Sequence, residues 1–138
     1  MGLLQRQRPL KHCGHFGTLD EREMRLVCDA GQEVTVPERW SFIWENTPGD
    51  RAYLLLDGTA SVLVGGEQIA ELGPGDLVGE VALRSRRLRT AAVTAATPLS
   101  LLSFTKDQFD DLYRRVPGFR DAVDAAVEAR TSESGAST

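Results

Sequence analysis

Between Val34 and Phe104 the chain signals a change of direction about every eight to ten residues. Pro48-Gly49-Asp50, Asp57-Gly58, Gly65-Gly66 and Gly73-Pro74-Gly75-Asp76 are turn sequences, in which glycine reaches positive φ without steric cost and proline arrives with φ already fixed. Between them lie short runs of aliphatic, β-branched and aromatic residues, the composition of strands. Runs this short leave no room for the crossover helices of a strand-helix-strand unit. The pattern therefore predicts a mainly β fold of antiparallel strands, a double-stranded β-helix or jelly-roll-like β-roll.

Helical patterns flank this region. Thr18 with Glu21 fits a capping box, and Leu19, Met24, Val27 and Ala30 then share one face of a helix closing near Gly31. Thr105 with Gln108 fits a second box, followed by Phe109, Leu112 and Tyr113. Pro117 interrupts that helix and suits the first turn of another, whose stripe is Phe119, Ala122, Val123, Ala126 and Val127. The expected layout is one helix, about eight strands and two helices, forming one domain over residues 16–130. A basic arm (1–15, with Arg6, Arg8 and Lys11) precedes it and a Ser/Thr/Gly-rich tail (131–138) follows.

Composition narrows the function. With 41% hydrophobic and 26% charged residues in 138, the chain can bury a core unaided. A formal net charge of -4 argues against a general nucleic-acid binder. No run approaches the roughly 20 apolar residues of a membrane span, and the first residues lack a signal-peptide core, so a cytoplasmic location is expected. Gly2 is followed by Arg6 where a myristoylation motif wants Ser or Thr. Cys13 and Cys28 read as buried or idle thiols, and together with His12 and His15 they lack the usual spacing of paired zinc ligands. Both histidines precede the strands, where an inward-facing metal set could not use them, and no nucleophile-base-orienter triad is visible. Neither a metal nor a catalytic residue is assigned, and the chain is not expected to be an enzyme.

Chemistry concentrates in Asp76-Leu77-Val78-Gly79-Glu80-Val81-Ala82-Leu83 and in Arg89-Thr90-Ala91, with Arg89 nine residues after Glu80. Gly79 and Ala82 bracket a carboxylate with small residues, which lets backbone N–H groups approach a ligand. Ionised Glu80 only accepts hydrogen bonds and suits a sugar hydroxyl, whereas Arg89 offers a planar fork matched to phosphate oxygens. The bland alternative is a surface ion pair worth about 0 to 1 kcal/mol. Trp40, Phe42 and Trp44 alternate at strand period, more often the mark of one packed side than of a binding face.

In register, the segment resembles the phosphate-binding cassette of the cyclic-nucleotide-binding domain family, shared by catabolite activators and kinase regulatory subunits. The cassette runs Phe-Gly-Glu-Leu-Ala-Leu, a short loop, then Pro-Arg, a small residue and Ala. Here it reads Val78-Gly79-Glu80-Val81-Ala82-Leu83, then Leu88-Arg89-Thr90-Ala91. Tyr53-Leu54-Leu55-Leu56-Asp57-Gly58, Gly73-Pro74-Gly75-Asp76 and Phe104 to Pro117 extend the likeness over roughly residues 16–130. The resemblance implies that Glu80 takes a ribose hydroxyl, that Arg89 and the N–H groups near Ala82 take the cyclic phosphate, and that Thr90 adds a hydroxyl contact. It also implies that Val62, Ile69 and Leu72 line the base, although each reads equally well as core. Two departures stand out: Leu88 replaces the proline, and Arg84 and Arg86 stand where an aliphatic residue and a glycine are usual.

The expectation is a binding module for cAMP or cGMP, with no further cofactor, that signals through its last helices to a protein partner or a second copy. Since the sequence ends soon after Arg130, no helix-turn-helix for DNA is expected. The alternative is a roll that keeps the fold as an interaction domain without nucleotide.

Overall fold

A computed structural model describes residues 13–85 and 87–133. Among them are eight strands and four α-helices: α1 (Glu21–Ala30), β1 (Gln32–Val36), β2 (Ser41–Ile43), β3 (Arg51–Asp57), β4 (Ala60–Val64), β5 (Glu67–Leu72), β6 (Leu77–Val78), α2 (Glu80–Ser85), β7 (Ala92–Ala95), β8 (Leu99–Thr105), α3 (Lys106–Arg115) and α4 (Pro117–Glu133). The strands form two four-stranded antiparallel sheets, ordered β1-β8-β3-β6 and β2-β7-β4-β5. This is the β-roll expected from the turn spacing. No described helix is long and apolar enough to cross a membrane.

Alternation along the central strands divides the interior in two. Ala52, Leu54, Leu56, Leu102 and Phe104 face a cluster built with the helices, where Phe119 meets Phe16, Phe104 and Phe109 at centroid distances of 5.4 to 6.0 Å. Leu55, Leu99 and Leu101 point the other way, into the space between the sheets, with Val62, Val78, Ala91 and Val93. Period-two patterning thus lets one sheet serve two cores.

The ends of the helices follow local chemistry, with one correction. α1 is capped by Asp20, not Thr18: Asp20 accepts from the Glu23 N–H at 2.7 Å and Glu23 returns a bond to the Asp20 N–H. Thr18 ends a 3-10 turn (Gly14–Thr18), its hydroxyl donating to the His15 carbonyl. Glu23 has a further use, since its Oε2 accepts from the Gly118 N–H at 2.8 Å, binding the start of α4 to α1. α3 carries the expected Thr105–Gln108 box, and Pro117 opens α4.

Neither thiol is in a disulfide, both are fully buried, and Cys13 donates to the Leu55 carbonyl. Cys13, within the stretch read as an arm, is therefore part of the packed core, and α4 continues to Glu133 within the stretch read as a tail. Arg6, Arg8, Lys11, His12 and residues 134–138 lie outside the described residues.

Candidate functional site

The segment holding Glu80 is positioned by backbone bonds before any side chain contributes. The Leu55 N–H donates to the Asp76 carbonyl and the Gly75 N–H to the Leu55 carbonyl, while the Asp76 carboxylate accepts from the Gly73 N–H at 2.7 Å. Val78 pairs with Tyr53, and Gly79 at φ +82° then turns the chain into α2. A side chain at Gly79 would run into Nη1 of Arg89 and lie 2.9 Å from the Arg51 carbonyl oxygen. Glycine here answers two demands, a left-handed backbone and a guanidinium resting against it.

Arg89 is held from both sides of its backbone. Its N–H donates to the Thr47 carbonyl at 2.8 Å and its carbonyl accepts from the Asn46 N–H at 2.9 Å, beside a bridge between Pro48 and Leu88. These contacts supply the restraint that the missing proline would otherwise give, so Leu88 does not free the arginine. Arg89 is only 3% exposed. Nη2 donates to the Arg51 carbonyl at 2.6 Å, and Nη1 has no hydrogen-bond partner among the described residues. Burial lowers its pKa, with Tyr53 and Asp50 acting in the opposite sense.

Glu80, at 5% exposure, is equally withdrawn from solvent. It does not pair with Arg89. Oε1 accepts from Arg84 at 2.9 Å, whereas Oε2 is buried with no partner among the described residues. Arg84 in turn lies over the Tyr113 ring at 4.5 Å and the Phe109 ring at 5.9 Å. The surface-ion-pair reading of Glu80 and Arg89 therefore does not describe this site: each is a buried charged group with unused hydrogen-bonding capacity.

The other residues singled out in the sequence divide. Val78, Ala82 and Ala91 are buried, Val81 is half-buried and Thr90 is exposed. Val62 and Leu72 join the inter-sheet cluster with Val78, Ala91 and Tyr53. Ile69 does not join it. Val62 pairs with Ala70 and Leu63 with Gln68, which leaves Ile69 as the extra residue of a bulge, 47% exposed. Arg86 lies outside the described residues.

Sequence spacing gave no sign of the residues brought to Arg89 from more than thirty positions upstream. A cleft of about 270 Å³ beside it is lined by Phe42, Trp44, Thr47, Asp50 and Tyr53. Burial raises the Tyr53 pKa, with the charges of Arg89 and Arg51 opposing and that of Asp50 assisting. Phe42 stands edge-on to Tyr53 at 5.2 Å, whereas Trp40 and Trp44 are exposed, so the alternating aromatics do not form one packed face.

Comparison with known proteins places the chain in a family. The family model for the cyclic nucleotide-binding domain matches residues 33–116. A cAMP-dependent protein kinase regulatory subunit from Schizosaccharomyces pombe is 33% identical over 117 residues, covering 79% of this chain and 28% of that protein. The chain thus spans under a third of this relative's length. The regulatory domain of Toxoplasma gondii PKA, solved with cAMP, superposes with a TM-score of 0.65 at 30% identity, covering 80% of this chain and 44% of that one. Thermus thermophilus catabolite activator protein gives 0.75 at 27% identity, covering 91% and 59%. A β-roll, a cassette in register and a family match over most of the roll converge: this chain belongs to the cyclic nucleotide-binding domain family.

Proposed function

We propose that the chain is a regulatory module that binds a cyclic nucleotide, cAMP or cGMP, and passes the event through α3 and α4 to a protein partner or a second copy. Binding is the whole of the proposed activity, with no catalytic step, no metal and no DNA contact, and the proposed setting is the cytoplasm. The reading rests on one observation above the others: Glu80 Oε2 and Arg89 Nη1 are both buried and lack partners among the described residues. An unsatisfied buried polar group costs about 1 to 3 kcal/mol, more when charged, and a fold keeps such groups where a ligand completes them.

A cyclic nucleotide offers a hydroxyl that can donate to Glu80 and an anionic phosphate that can accept from Arg89, each a charge-assisted bond in a place shielded from water. In this proposal Val78, Gly79, Val81, Ala82, Thr90 and Ala91 shape the phosphate end and Val62 and Leu72 the base end. Ile69 would reach the base only if the bulge turns it inward. A roll that bound no nucleotide would have no use for the two vacant groups.

Titration calorimetry with cAMP and cGMP tests the proposal, supported by the rise in thermal midpoint that ligand binding to the folded state produces. Binding should be saturable, and Arg89→Ala should weaken it by about 2 to 5 kcal/mol, the usual loss when one partner of a buried charged pair is truncated. Neither nucleotide binding, or an unchanged affinity in Arg89→Ala, would refute it.

A further inference from the structure

Resting on the proposed nucleotide site, we infer that Arg84 is a positioning residue that joins the Glu80 carboxylate to the two C-terminal helices. Nothing in the cassette pattern calls for an arginine four residues after the glutamate, where an aliphatic residue is usual. Its contacts run in two directions. Toward the site, Nη1 donates to Glu80 Oε1 at 2.9 Å. Away from it, the guanidinium lies over the Tyr113 ring of α3 at 4.5 Å. From there the Tyr113 hydroxyl donates to Asp124 Oδ1 of α4 at 2.7 Å.

The four side chains form one line of contacts from the site to the last helix. Each link is directional. An arginine fork holds a carboxylate oxygen in one plane, a guanidinium stacks best when parallel to a ring, and a phenol points its proton along one line. Glu80 therefore cannot rotate to meet a ligand hydroxyl at Oε2 without turning the Arg84 plane over Tyr113. The ring cannot follow without lengthening its bond to Asp124. A ligand that favours one rotation of Glu80 thereby favours one setting of α3 against α4, which is the differential interaction that a population shift requires. A lysine in place of Arg84 would keep a positive charge beside Glu80 but lose the planar group over the Tyr113 ring, so the coupling depends on the guanidinium and not on charge alone.

Proximity along a line of contacts is not coupling, and the test must measure coupling itself. Amide hydrogen exchange of the whole chain, free and saturated with cAMP or cGMP, would be compared for wild type, Arg84→Lys and Tyr113→Leu, with titration calorimetry confirming saturation. In wild type the ligand should slow exchange in α2 and also in α4 over residues 117–127, by about tenfold, a typical coupling. In both variants the slowing should persist in α2 and fall below about twofold in α4, by the same reasoning. Equal slowing of α4 in wild type and in the variants would overturn the role of Arg84 while leaving the nucleotide site standing. Absence of binding by wild type would overturn the site and this inference with it. Because Arg84→Lys keeps the charge and most of the bulk, loss of coupling there cannot be ascribed to misfolding.

Discussion

Replacing Gly79 by alanine should be among the most damaging single-methyl changes the chain can suffer. Two separable effects add. A non-glycine residue in the left-handed region costs about 1 to 2 kcal/mol, and Gly79 sits at φ +82°. The new methyl would also collide with Nη1 of Arg89 and press on the Arg51 carbonyl oxygen at 2.9 Å. Relief requires the guanidinium to leave, breaking its 2.6 Å bond to that carbonyl, a hydrogen bond to a charged group worth about 1.5 to 3 kcal/mol. The sum is about 2.5 to 5 kcal/mol, a large part of the roughly 5 to 15 kcal/mol available to a domain. Urea denaturation of Gly79→Ala, Arg89→Ala and the double variant separates the parts. Once Arg89 is gone the collision with its guanidinium disappears, so Gly79→Ala in that background should cost only the backbone strain and the close approach to the Arg51 carbonyl, and the cycle should show a coupling of about 1.5 kcal/mol or more. Additive losses would refute the account, because they would mean that the methyl never met the arginine.

Other perturbations give sharp expectations. Phe119→Ala removes the ring that touches Phe16, Phe104 and Phe109 and should cost about 3 to 5 kcal/mol in chemical denaturation. Thr105→Ala deletes the cap of α3 and should cost about 1 kcal/mol by the same measurement. Burial pushes the Cys13 thiol up to about 11 from an ordinary value of 9.0. The folded state therefore keeps a proton that the unfolded chain releases above pH 9, and stability should fall between pH 9 and 11 by at most about 3 kcal/mol. Cys13→Ala should flatten that slope, as a stability-pH profile would show.

Much of the fold was legible because its signals are local. Turn sequences set strand length, strand length set the class, and Thr105–Gln108 and Pro117 marked the helices that close the roll. The first helix shows where local signals run out. Thr18-x-x-Glu21 and Asp20-x-x-Glu23 overlap in the sequence and fit the capping rule equally. The choice falls to Asp20 because Glu23 is needed in place to receive the Gly118 N–H, a contact 95 residues away in sequence. Ile69 shows a related limit, since regular alternation carries no mark of a bulge that its partner strand imposes. Glu80 and Arg89 could be picked out by their register, but Asp50 and Tyr53 beside Arg89, and Tyr113 beneath Arg84, come together only through the folding of distant strands and helices.

The bond from Gly118 to Glu23 has a mechanical meaning. It staples the root of the last helix to the first, so the helix that precedes the strands and the one that ends the described chain are joined directly. Anything that swings α4 outward must tug on α1 or tear this staple, and a protein gripping either helix would feel the movement of the other.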